Sequence, residues 1–306
     1  MWMWMCGWAW ASPQVSQVEA PGTHLRQLLA SPDGSELVLF HASEQRGELG
    51  ACGCSVEPLG GLARVDKYIR ETEKRSLESH VVKLHLGHAF AHDRDWTLGR
   101  MTTEALAKNE GVTAALNLGE WDAVNLTCDD TWAVMEGRPP VGLISTNMAV
   151  PGVDVVSHWR TEAAGASVAV FGVTGPCRGG AAPLGVELQD PVEAVQRAVA
   201  TVEADVVVVV AYGLEGGMMA FAQLPEVDVV IEAGDYQARY RPQLAGDLVW
   251  VRSTARTARL GELRVQLEGQ EIHAIEDRRV RLGPGVRGTK ALEKLAQEVA
   301  AFTGAG

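Results

Sequence analysis

The pattern of apolar and polar positions changes period repeatedly along this chain, and each change marks an element. "SELVLFHAS" (Ser35–Ser43) is an apolar run entered from the turn residues "SPDG", which predicts a buried strand. "GGLARVDKYIRETEKRSLES" follows with Leu62, Val65, Tyr68 and Ile69 at helical spacing. "HVVKLHLGHAF" predicts a second strand, and "LGRMTTEALAKNEGVTAALNLG" a helix ended by Gly119. "WDAVNLTCDD", "PVGLISTNM" and "ASVAVFGVTG" predict three more strands. In "DPVEAVQRAVATVEA", Asp190 is placed to cap a helix with Pro191 at its first position. That helix runs into "DVVVVVAYG", a continuous β-branched run of the kind buried on both faces of a sheet. "GGMMAFAQLP" reads as a short helix and "VDVVIEAGD" as a strand. The alternation in "GDLVWVRSTARTARLGELRVQLEGQEIHAIEDRRVRLG" predicts antiparallel strands with Gly-rich turns, and "GTKALEKLAQEVAAF" a final amphipathic helix. Strands alternating with helices and then hairpins imply an α/β layered domain.

Composition narrows the function classes. The chain has 306 residues, of which 46% are hydrophobic, enough for a sizeable core. A formal net charge of -12 argues against nucleic acid as a partner, because phosphate binding needs clustered Lys and Arg, and "RRVR" (Arg278–Arg281) is too short a cluster. No segment is long and apolar enough for a membrane helix. The first residues, "MWMWMCGWAWAS", include Ala9-Trp10-Ala11, which fits the small-x-small pattern of a signal-peptidase site, although a positively charged n-region is missing. The expectation is a leader over residues 1–20, one domain over 21–306, and a periplasmic or otherwise exported location.

The order of the segments resembles a known family. "GGLARVDKYIRE", "GEWDAVNLTCDD", "VGLISTNM", "ASVAVFGVTG", "DPVEAVQRAVATVEADVVVVVAYGLEG", "PEVDVVIEAGD" and "STARTARLGELRVQLEG" follow one another as they do in the calcineurin-like metallophosphoesterases. The likeness is to the N-terminal domain of exported 5′-nucleotidases and to the related periplasmic thiosulfohydrolases. It implies a four-layer α/β/β/α sandwich with mixed sheets, C-terminal β-hairpins and a final helix. It also implies two metal ions at the strand ends, which activate a water and stabilise phosphoryl charge.

The positions matching the family's ligand motifs carry other residues. Glu44 and Arg46 stand where the first motif has Asp and His, and a guanidinium cannot ligate a metal. Gly87-His88 stands for Gly-Asp, and Thr127-Cys128-Asp129-Asp130 for Gly-Asn-His-Glu. Ala211-Tyr212 stands for Ser-His, and Glu232-Ala233-Gly234-Asp235-Tyr236 for Gly-Gly-His-x-His, with Gly234 and Tyr236 at the two His positions. The resemblance therefore implies the fold with its dinuclear chemistry removed. Three readings follow: a non-catalytic binding or assembly component, partnered by another protein of the cell envelope and needing no cofactor; a phosphoester or nucleotide hydrolase with an altered metal site; or a thiolate-metal or redox protein.

Five cysteines bear on that choice: Cys6, Cys52, Cys54, Cys128 and Cys177. Cys52, Cys54 and Cys128 as thiolates, with His88 or Cys177 as a fourth ligand, would suit zinc, Cu(I) or an iron–sulfur cluster. In an exported protein Cys52 or Cys54 would instead pair with Cys128 or Cys177, while Cys52 and Cys54 are too close in sequence to pair with each other. Buried free thiols are the third option. His41 and His85 lie inside strand patterns and read as core residues with satisfied hydrogen bonds. Asp129, Asp130 and Asp235 are candidates for a hard cation such as Ca²⁺. Arg46 with Arg178 could receive an anion, although a salt bridge to Glu44 or Glu48 is the simpler role for Arg46.

Overall fold

A computed structural model describes residues 13–21, 36–51, 58–75, 79–95, 99–177, 182–214, 217–234, 241–253 and 259–304. Cys6, Cys52, Cys54, Arg178, Asp235, Tyr236 and the first 12 residues of the expected leader lie outside them. In chain order the elements are β1 (Gln14–Pro21), β2 (Glu36–Ala42), α1 (Leu62–Arg75), β3 (Ser79–His85), β4 (Arg94–Asp95), β5 (Arg100–Met101), α2 (Thr103–Leu118), β6 (Ala123–Asn125), α3 (Thr131–Glu136) and β7 (Leu143–Ile144). They continue with β8 (Met148–Ala149), β9 (His158–Ala163), β10 (Ala166–Thr174), β11 (Glu187–Leu188), α4 (Pro191–Val199), β12 (Val206–Tyr212), a 3₁₀ turn (Gly217–Gln223) and β13 (Val229–Ala233). The last are β14 (Gln243–Ala245), β15 (Leu248–Arg252), β16 (Arg259–Glu268), β17 (Glu271–Arg281) and α5 (Lys290–Thr303).

Two mixed sheets carry the core. One runs β1-β17-β16-β2-β3-β6-β7 and the other β14-β15-β13-β12-β10-β9. Their facing sides bury Leu37, Leu39, Val82 and Leu263 against Val168, Val208, Ile231 and Val249. The outer side of the first sheet packs Val38, Phe40 and Val124 against α1, α2 and α5 through Val65, Ile69, Val112 and Leu292. The outer side of the second packs Phe171, Val209 and Val230 against Val195 and Val199 of α4 and Phe221 of the 3₁₀ turn. This is the expected α/β/β/α order. Every residue of β12 is buried, as its β-branched run requires between two layers. Asp190 accepts hydrogen bonds from the amides of Val192 and Glu193, and Pro191 opens α4.

Three departures from the pattern concern the two large sheets. β15 does not join the C-terminal antiparallel set; it lies parallel to β13 in the second sheet, where Val249 and Val251 reach the inter-sheet core. β9, absent from the sequence expectation, pairs antiparallel with β10 at the edge of that sheet. Its alternation is weak because an edge strand leaves polar residues such as Arg160 and Glu162 exposed or half-buried. β1 takes in residues 14–20 of the segment expected as a leader and pairs them in parallel with β17.

Candidate functional site

The site forms where strand ends from both sheets meet. The loops after β2 and β3 are joined by backbone bonds from Glu44 to Gly87 (3.0 Å), Arg46 to His88 (3.2 Å) and Gly47 to Ala89 (2.9 Å). Glu44, Arg46 and His88 all take left-handed backbone conformations, with φ of 58°, 51° and 51°. That region is unfavourable for side chains with a Cβ, and such strain concentrates where structure serves a site. Gly87 has φ 103°, and a Cβ there would lie 2.1 Å from Cγ2 of Thr127. The turn after β3 therefore passes close against the loop after β6, and only glycine fits.

Asp130 organises that contact. Its carboxylate accepts from the backbone amides of His88 (2.8 Å) and Phe90 (3.1 Å) and from Oγ1 of Thr127 (2.6 Å). Burial raises its pKa to about 6 against the pull of these bonds. Asn125 donates to the carbonyls of Leu86 (3.1 Å) and Val173 (2.9 Å), so one amide ties the two sheets together at this end. Asn147 and Thr174 make a second tie through Asn147 Oδ1 and the Thr174 amide (3.0 Å). His85 lies beneath, receiving the Gly87 amide on Nδ1 (3.1 Å) and meeting Gln45 Oε1 through Nε2. Burial lowers its pKa to about 3, so it is a neutral core imidazole, as expected.

Above this floor the substituted positions touch one another. Arg46 pairs with Glu44 at 3.5 Å. The Tyr212 hydroxyl, at the end of β12, donates to Oε1 of Glu44 (3.4 Å) and meets Nδ1 of His88. Burial first, and then the Glu44 charge, hold the Tyr212 pKa well above the usual phenol range. His88 Nε2 faces His92 Nδ1 at 3.5 Å. Gly234 (φ 104°) packs against the Gly213 backbone beside Tyr212. The structure thus brings Glu44, Arg46, His88, Tyr212 and Gly234 to one place, with Cys128 and Asp129 on the neighbouring turn. The sequence reading missed His92, Asn125 and Gln45. The one signal near His92 was the close Gly87-His88 pair after a strand.

Three expectations are corrected. The disulfide joins Cys128 to Cys177, with Cα atoms 4.8 Å apart, rather than either cysteine to Cys52 or Cys54. The reason is local: Cys128 sits in the turn after β6, whose amide bonds to Thr174 Oγ1 (3.2 Å), and Cys177 leaves the same strand end. Cys128 is therefore not a thiolate ligand in this structure. At most three of the five cysteines should then titrate with a thiol reagent in denatured, unreduced protein; four or more would show the pair is not formed. The Asp129–Asp130 pair does not offer two carboxylates to a hard cation either, because Asp130 turns inward to the backbone amides. His41 is buried as expected, but neither ring nitrogen has a hydrogen-bond partner. Trp121 packs its ring edge on His85, and Trp132 lies under the Arg94 guanidinium.

Among the described residues no group of three His, Cys, Asp or Glu is placed to hold a metal ion. The Glu44 carboxylate is turned toward Arg46 and Tyr212, and Nδ1 of His88 toward Tyr212, while Nε2 of His88 faces His92.

These two sheets with helices on both outer sides are the fold of the calcineurin-like metallophosphoesterases. The chain superposes on the 5′-nucleotidase precursor of Thermus thermophilus with TM-score 0.70 at 17% identity, covering 88% of this chain and 59% of that one. The sulfate thiohydrolase SoxB of Thermus thermophilus gives 0.69 at 15%, covering 87% and 60%, and the NAD nucleotidase of Haemophilus influenzae 0.63 at 15%, covering 87% and 56%. The chain thus spans less than two thirds of the length of these proteins. No family model and no curated protein matches the sequence.

Proposed function

We propose that this chain is a metallophosphoesterase-fold protein that does not hold the dinuclear centre and works as a binding or assembly component of the cell envelope. The observation that carries the reading is the Arg46–Glu44–Tyr212–His88 cluster. A fixed cation and a phenol sit at the strand ends where two divalent ions would have to be held. One guanidinium, already paired with Glu44, cannot take the place of two charges of +2 at a phosphoryl group. The Cys128–Cys177 disulfide supports an oxidising compartment. Among the described residues no helix is long and apolar enough to cross a membrane.

The test offers Mn²⁺, Zn²⁺ and Fe²⁺ to dialysed protein and measures metal content together with hydrolysis of p-nitrophenyl phosphate and AMP. No tightly held pair of ions and no turnover above a protein-free control are expected. Two ions per chain, or turnover that rises with added metal, would sink this reading.

A further inference from the structure

The same cluster ends outward in a pair of imidazoles. His88 is nearly buried and is held by its own amide, which donates to Asp130. His92, four residues on, is exposed. The rings are inclined by 43° with centroids 5.4 Å apart, and Nε2 of His88 faces Nδ1 of His92 at 3.5 Å. Behind them the Tyr212 hydroxyl reaches Oε1 of Glu44 and meets Nδ1 of His88. A His88 that donates Nδ1–H to the Tyr212 oxygen carries its lone pair on Nε2, the atom turned toward His92.

We propose that His88 and His92 bind a single borderline transition-metal ion, of the class of Zn²⁺, Co²⁺, Ni²⁺ and Cu²⁺. An ion about 2.0–2.1 Å from each nitrogen, across the observed 3.5 Å, subtends roughly 115°, close to the tetrahedral angle. Imidazole nitrogens suit these ions, whereas Mg²⁺ and Ca²⁺ require oxygen. A histidine ligand that hands its other N–H to an oxygen acceptor is the usual way a site fixes ring orientation, and Tyr212 backed by Glu44 supplies that acceptor. Two ligands among the described residues leave two positions of a tetrahedral ion to further donors. The site shares His88 with the vacated centre but needs none of its carboxylates, so it does not depend on the reading above.

The experiment uses the full chain, freed of metal with a chelator, and titrates it with Co²⁺ while following the visible absorption of tetrahedral cobalt. Zn²⁺ binding is measured by calorimetry. One saturable ion per chain is expected. His92→Gln, a change at an exposed side chain, should weaken binding at least ~10-fold, and Tyr212→Phe should weaken it by about 10-fold with the circular dichroism unchanged. His80→Gln, an exposed histidine elsewhere on β3, should bind as the parent does. Absence of saturable binding, or equal affinity in His92→Gln and the parent, would show that the pair holds only a proton and would overturn the proposal. Two tightly held ions with phosphatase turnover would instead strike at the functional reading, so the two failures are distinct.

Discussion

Glu262→Ala is expected to destabilise the protein by about 3–5 kcal/mol, the range found when one partner is removed from a buried ion pair. Glu262 is fully buried on the outer face of the first sheet. Its Oε1 accepts from Nε of Arg264 (2.5 Å) and Nη1 of Arg278 (3.3 Å), and its Oε2 from the Tyr68 hydroxyl (2.7 Å). Arg264, itself almost completely buried, continues to Glu36 at 2.8 Å. One carboxylate thus serves two guanidiniums and a phenol. Its loss leaves Arg264 and Arg278 as cations in a site where water cannot replace the missing oxygen atoms. Urea denaturation gives the number directly, provided the slope is unchanged. Arg264→Ala should also be costly, and the double variant should cost clearly less than the two losses added, because each single change takes from the other's buried charge its shortest bond in the cluster. Strict additivity, or a loss below about 1 kcal/mol for Glu262→Ala, would mean the cluster is solvated and contributes little.

That cluster was invisible in the sequence, and the reason is physical. Glu262, Arg264, Glu276 and Arg278 sit at alternate positions of β16 and β17, which is the pattern of a solvated strand face. Only the cross-strand register, Glu262 opposite Arg278 and Arg264 opposite Glu276, with Tyr68 of α1 laid over it, turns that face into a buried one. Where burial is two-sided, the sequence was legible: the run from Val206 to Val210 could belong nowhere except between layers. β9 was lost because its turn, Ala164-Gly165, carries only one residue that signals a hairpin, while Ala164 adopts φ 54° without being Asn or Asp. The site was legible in part. Glu44, Arg46, His88 and Tyr212 were placed by the resemblance, at the positions matching the family's ligand motifs, and parallel strands do bring those ends together. His92 was not, because it lies on a loop whose path depends on Asp130 reaching back to the His88 and Phe90 amides. The Cys128 partner depended on the same turn geometry, which spacing along the chain does not encode.

Acid should leave stability nearly flat between about pH 6 and 4 and then lower it steeply. Four buried groups decide this. His41 and His85 have pKa values lowered from 6.5 to about 3, chiefly by burial, with Arg279 adding to the effect at His41 and His88 at His85. Between pH 6.5 and 3 the unfolded chain binds their protons and the native one does not, so stability falls on acidification. Asp130 and Asp228 have pKa values raised from 3.8 to about 6, again mainly by burial. Between pH 6 and 3.8 the native state binds their protons and the unfolded one does not, so stability rises on acidification over that window. Two groups of each kind oppose one another, and the slopes cancel until the aspartates are protonated in both states. Below pH 3.8 the histidines act alone. Each contributes about 1.4 kcal/mol per pH unit, so these four groups together remove about 2 kcal/mol between pH 3.8 and 3. His41→Phe isolates one of them. The ring lies against Gly261, where a Cβ would come within 2.0 Å of it, so phenylalanine fills the same space. Since neither nitrogen of His41 has a hydrogen-bond partner, the change removes a titrating group without breaking a bond. Urea midpoints taken across pH should therefore show the steep segment halved in His41→Phe, and a rise toward acid of about 1.4 kcal/mol per pH unit between pH 6 and 4, where one aspartate is left unopposed. A variant curve parallel to that of the parent over the whole range would mean that His41 is protonated in the folded protein, against its burial between two sheets.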